Sequence, residues 1–278
     1  MKSKITKSIL DIVAVLLIFG LGQVIGVGIS AVILIHNEGA HSTLFIALTL
    51  LTANVIAIVL LLFLRYLLTR SQWLERVDFI AEINPLRLRW SLAPMMMIAT
   101  FAGAVSTGCL AQAWGVEDRL EETIQNLATN PIGILTIVFI GPLGEELIFR
   151  HAILGGMLRR GITPWIAILV SSILFGIIHL NPIQILFASA LGIMLGILYT
   201  KSQSIVPSLI YHIINNGFAV AVILIEGKGE DPTTSLLETP PILYSVSIVA
   251  AAICIPIYIY YWRKPTLNSK PSTLNPQL

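Results

Sequence analysis

"GPLGEELIFRH", residues Gly141 to His151, places two glutamates, an arginine and a histidine inside an otherwise apolar run from 132 to 158. A run of that length suits a helix crossing the hydrocarbon core, which needs about 20 apolar residues. An ionisable group inside such a helix costs roughly 2.5–3.5 kcal/mol on insertion scales and marks function by default. The four groups therefore need partners or a task. Glu146 and Arg150 stand four residues apart on one helix face and can neutralise each other. Glu145 is turned about 100° from Glu146 on a regular helix. Its own i+4 neighbour is Phe149, so Glu145 is left available. Gly141, Pro142 and Gly144 loosen the helix just before the pair.

The rest of the chain agrees with a membrane setting. Of 278 residues, 56% are hydrophobic and 12% charged, and mean hydropathy is +0.86. Soluble domains carry about 25% charged residues. The net charge of +2 implies no nucleic-acid partner, because the basic residues sit in loops beside apolar spans. Cys109 and Cys254 lie within apolar stretches and read as reduced packing residues. The basic "MKSKITKSIL" precedes an apolar run that continues to Ile35, longer than a signal peptide's apolar region, and reads as a retained first span.

Apolar runs occupy 9–35, 44–68, 91–113, 132–158, 164–180, 182–200, 205–225 and 242–262. They predict an all-α fold: a polytopic membrane bundle of about eight transmembrane helices. Pro182 separates the sixth run from the fifth. Lys and Arg concentrate before run one, between two and three, after four, after six and after eight. The alternate loops are poor in them. The positive-inside rule then puts both termini in the cytoplasm. The domain reading is a two-span region with a cytoplasmic loop over 1–90, a core over 91–265 and a disordered tail over 266–278. A bacterial source would imply a multi-pass protein of the plasma membrane.

Interior polar groups gather in three of these runs: Glu145, Glu146, Arg150 and His151 in the fourth, His179 ending the fifth, and His212 with Asn215 and Asn216 in the seventh. Phe175 and His179 are i and i+4, as are His212 and Asn216. With a rise of about 1.5 Å per residue, Glu145, His179 and Asn216 lie about 21, 22 and 16 Å from the cytoplasmic ends of their helices. The three sets can therefore meet at one level. His151 reads as structural.

Two chemistries fit. In one, Glu145 and His179 hold and deprotonate a water that attacks a peptide carbonyl, while His212 and Asn216 donate to the oxyanion. In the other, Glu145, His179 and His212 bind a divalent metal, zinc above all, and Glu146 acts as base. The sequence lacks H-E-x-x-H, so such a metal site would be assembled from separate helices.

"EELIFR" (Glu145, Glu146, Arg150), "FGIIH" (Phe175, His179) and "HIINN" (His212, Asn216) resemble, in order, the motifs EExxxR, FxxxH and HxxxN of the CPBP family of intramembrane proteases. That family includes CAAX prenyl endopeptidases and bacteriocin-processing and immunity relatives. The resemblance covers about residues 90–225. It implies an eight-helix bundle with a cytosol-accessible cavity and a water activated by Glu145 and His179. It further implies oxyanion stabilisation by His212 and Asn216, with Arg150 supporting the glutamates. His151 departs from the glycine that relatives often carry there. The expected partners are the bilayer and a peptide or protein substrate, prenylated or membrane-associated. The rival readings are a non-catalytic immunity or binding protein and a proton-coupled transporter; no inverted repeat supports the latter.

Overall fold

The computed structural model describes residues 2–34, 43–69, 93–115, 121–226 and 240–263. Among them there is no β-strand. The long helices are α1 (Lys2–Leu34), α2 (Thr43–Thr69), α3 (Ala93–Ala113), α5 (Pro131–Arg159), α6 (Pro164–Ile177), α7 (Pro182–Ser202), α8 (Ile205–Glu226) and α9 (Pro240–Arg263), with a short α4 (Glu121–Ala128) before α5. Six of these, α1, α2, α5, α7, α8 and α9, are long and apolar enough to cross a membrane. The chain is a multi-pass integral membrane protein. The basic loop between α2 and α3, the alternate loops around 35–42 and 227–239, and the tail 266–278 lie outside the described residues.

The expected fifth span, 164–180, comes out shorter. Its helix covers 14 residues, about 21 Å at 1.5 Å per residue against a core of about 30 Å. Ile178 and His179 continue as tight turns, with His179 N–H on the Gly176 carbonyl at 3.1 Å. Leu180 then takes a positive φ of 54°, and Pro182 opens α7. A proline suits a first helical turn, where its missing N–H has no intrahelical partner; α5 and α6 begin the same way, at Pro131 and Pro164.

Helices pack through small residues, because lipid provides no hydrophobic drive for association. On α1, a Cβ added to Gly22 would lie 2.7 Å from the Ala57 Cα of α2, and Gly26 sits closer still over Ala53. Ser30 and Thr52 add a hydroxyl contact at 2.9 Å. On α7, Gly192 lies against Ser172 and Phe175, and Gly196 against Ile168. On α6, Gly176 lies against Ser189 and the Ile185 carbonyl. These close approaches seat Phe175 in the core with 1% of its surface exposed. Cys109 and Cys254 are free thiols, the latter buried.

Candidate active site

The site is built around α5. Asn130 caps its start, accepting from Ile132 N–H at 2.9 Å and Gly133 N–H at 3.2 Å. An Asn cap followed by Pro is a strong helix-start signal. The helix then widens twice to i→i+5 bonding, over Thr136–Ile140 and Glu146–Leu154, with "GPLGE" as a regular turn between. Such wide turns are rare and favour functional sites. Pro142 and the glycines act here as expected: Pro142 lacks the N–H that an unbroken ladder needs, and Gly144 lets Ile58 of α2 approach closely.

Glu145 and Glu146 both reach His212 of α8, one at each ring nitrogen. The His212 Nδ1 lies 3.1 Å from Glu146 Oε1, and its Nε2 lies 3.4 Å from Glu145 Oε2. Glu146 also meets Arg150 Nε at 3.4 Å, and both side chains are wholly buried. The i,i+4 pair is thus present as expected, and the available glutamate has an imidazole beside it. Glu145 keeps 19% of its side chain exposed, so of the two carboxylates it is the one open to a small molecule.

Phe175 of α6 joins the parts. Its ring makes edge-on contacts with the His179 ring at 5.2 Å, the His212 ring at 5.5 Å and Phe149 at 5.3 Å. The Arg150 guanidinium lies 4.9 Å from the ring centroid. That cation–π contact shares the guanidinium between the ring and Glu146. His179 Nδ1 is 2.8 Å from the Phe175 carbonyl. A carbonyl only accepts, so Nδ1 carries the proton and a neutral His179 presents Nε2 as a lone pair. Asn216, one turn beyond His212, donates from Nδ2 to the Ile137 carbonyl at 2.9 Å and accepts from Asn215 at 3.2 Å. His151 is buried on the wide segment of α5.

The three motifs therefore converge from α5, the end of α6 and α8. Two contributors escaped the sequence reading. Ser171, fully buried on α6, accepts from Arg150 Nη1 at 3.3 Å and donates to the Phe149 carbonyl at 2.8 Å. It precedes Phe175 by four residues, so the i, i+4, i+8 series Ser171, Phe175, His179 was the available signal. Asp11 of α1 forms an ion pair with Arg160 just past α5; no local spacing could have revealed that contact.

A metal fits the present arrangement poorly. Among the described residues no three His, Cys, Asp or Glu side chains converge as a ligand set. Both ring nitrogens of His212 face carboxylates, Nδ1 towards Glu146 and Nε2 towards Glu145, so Nε2 is engaged with Glu145.

Comparison with known proteins bears on the same stretch. Residues 127–218 match the family model described as type II CAAX prenyl endopeptidase Rce1-like. The candidate membrane peptidase YdiL of Bacillus subtilis (strain 168) is 27% identical over 156 residues, covering 55% of this chain and 61% of YdiL. The membrane-embedded CAAX protease MroQ of Staphylococcus aureus (strain USA300) is 29% identical over 139 residues, 47% of this chain and 56% of MroQ. The chain thus spans less than two thirds of the length of these relatives. No solved structure matches it.

Proposed function

We propose, on the premise that residues 127–218 match the Rce1-like CAAX-protease family model, that the chain is an intramembrane endopeptidase with about eight transmembrane helices and cytoplasmic termini. It hydrolyses a peptide bond of a membrane-associated or lipidated substrate, and its water is activated without a metal. The observation that carries this reading is the single cluster in which Glu145 and Glu146 flank His212 while Phe175 bridges His212 and His179.

In this mechanism the His179 Nε2 lone pair and Glu145 hold a water between them. Glu145 takes its proton as the water oxygen bonds to the scissile carbonyl carbon. General-base help of this kind contributes about 10²–10⁴-fold. The Asn216 amide has two N–H donors and spends one on Ile137; the second serves the oxyanion. His212 lies 3.4 Å from Glu145, close enough to receive that proton on Nε2. It then donates to the oxyanion, and as the C–N bond breaks it passes the proton to the departing amine. Glu146 holds the other side of the His212 ring, and Arg150 and Phe175 hold Glu146 and the two imidazoles in place.

The test is incubation of detergent-purified wild type and Glu145→Ala with farnesylated and unmodified hydrophobic peptides, read by mass spectrometry. Cleavage by wild type, reduced at least about 10²-fold in a folded Glu145→Ala, is the expected result. Equal cleavage by both proteins would remove Glu145 from the mechanism. Full activity after chelation supports the metal-free water; loss on chelation, restored by zinc, would replace it with the zinc scheme.

A further inference from the structure

Backbone bonding around Pro142 assigns a task to that residue. In the first widened turn of α5, Gly141 N–H bonds to the Thr136 carbonyl, five residues back. The next carbonyl in this register belongs to Ile137, and its partner five residues on is Pro142, which has no N–H. An orphan carbonyl is costly where water is scarce. Here the Ile137 oxygen is taken by Asn216 Nδ2 of α8 at 2.9 Å. The Asn216 Oδ1 accepts from Asn215 at 3.2 Å, so the amide cannot flip without losing both bonds. The same two helices ride closely here, since a Cβ on Gly217 would lie 3.7 Å from Val138 Cγ1. Asn216 stands one helical turn beyond His212, so fixing its amide fixes the turn that presents the imidazole to Glu145 and Glu146.

We infer that Pro142 is a positioning residue: by withholding one backbone donor it makes the Ile137 carbonyl the anchor for Asn216, and so sets α8 and His212 against the paired glutamates. This adds to the endopeptidase reading, and its test needs no substrate, so failure of either leaves the other standing. A helix kink without coupling to α8 would predict no interaction between positions 142 and 216.

Wild type, Pro142→Ala, Asn216→Ala and the double variant are compared by thermal unfolding in detergent. Asn216→Ala lowers the midpoint by about 5 °C, since it leaves a carbonyl without a donor. In the Pro142→Ala background the restored N–H serves that carbonyl, and the loss falls below about 2 °C. Equal losses in both backgrounds would overturn the inference. Should Asn216→Ala fail to fold alone, its recovery in the Pro142→Ala background supports the coupling, and failure in both overturns it. A second readout uses ¹⁵N-histidine labelling, with the His212 ring signals assigned through His212→Gln. Those signals move in Pro142→Ala if position 142 sets the ring; unchanged signals would again overturn it.

Discussion

In the α1–α2 hairpin, Gly22 and Gly26 bring two backbones together over Ala57 and Ala53, and of an 18-residue apolar stretch of α1 only 11% of the residues are buried. In the corresponding stretch of α5, 56% are buried, and the interior of α5 holds Glu146 and Arg150 with no exposed surface. Both are apolar helices by composition. The hairpin is held by shape, with one hydroxyl pair at Ser30 and Thr52. The centre is held by a chain of charges, rings and hydroxyls running from Ser171 through Arg150 and Glu146 to His212. Each charged group in that chain has an opposite charge, a ring or a hydroxyl beside it. Hairpin substitutions should therefore weaken packing and spare the site, whereas central ones lose both together.

The largest expected effect is at Arg150. Arg150→Ala leaves Glu146 buried beside an uncompensated position and strips the guanidinium from Phe175. Removing one partner of a buried pair costs about 3–5 kcal/mol. The expected outcome is a steep fall in thermal midpoint and in monodisperse yield on size exclusion. Arg150→Lys should recover little, since an ammonium cannot contact Glu146, Ser171 and the Phe175 face at once. A well-behaved Arg150→Ala protein would mean that the central chain is no more demanding than the hairpin.

Gly26→Val probes the hairpin itself. Even a methyl at Gly26 would collide with the Ala53 backbone, so α1 and α2 must separate, at about 1–3 kcal/mol for overpacking. The midpoint should fall while kcat of the folded fraction stays within about twofold, a change of under 0.5 kcal/mol in barrier. A collapse of kcat would show that α1 reaches the site, through the Asp11–Arg160 ion pair or through α1 side chains packed against the core around the wide segment of α5.

These two regions were unequally legible in the sequence. Hydropathy placed the helices, because a span is a matter of length and apolarity. The i,i+4 rule found Glu146 with Arg150, and rise per residue allowed Glu145, His179 and Asn216 to meet at one level. Three things were hidden. Angles along one helix do not say what a neighbouring helix places against it, so the meeting of Glu145 and Glu146 with the two nitrogens of His212 did not follow from spacing. The end of α6 at Ile177 was masked by apolar residues running on to Leu180, since hydropathy registers apolarity and not a turn. Ser171 was hidden because an isolated serine in an apolar helix commonly bonds back to its own helix, as Ser172 does to the Ile168 carbonyl at 2.7 Å.

Between the two extremes lies the α3–α9 contact, where the smallest effect is expected. Ser106 Oγ donates to the Ser247 carbonyl at 3.0 Å and Ser247 Oγ to the Ser106 carbonyl at 2.9 Å, with the hydroxyl oxygens 3.1 Å apart. Both residues are buried, and the exchange is reciprocal, so by geometry it resembles the centre. Energetically it should resemble the hairpin. A serine that loses its partner can turn to the carbonyl four residues back on its own helix, and no charge is left behind. Interhelical bonds of this kind average about 0.6 kcal/mol in membrane proteins. Ser106→Ala and Ser247→Ala, measured singly and together by thermal unfolding, should therefore show a coupling near that value. A coupling above about 2 kcal/mol, beyond the range such bonds reach, would mean that neutral hydroxyls can lock helices as firmly as a buried ion pair, and the distinction between a centre held by charge and a periphery held by shape would fail.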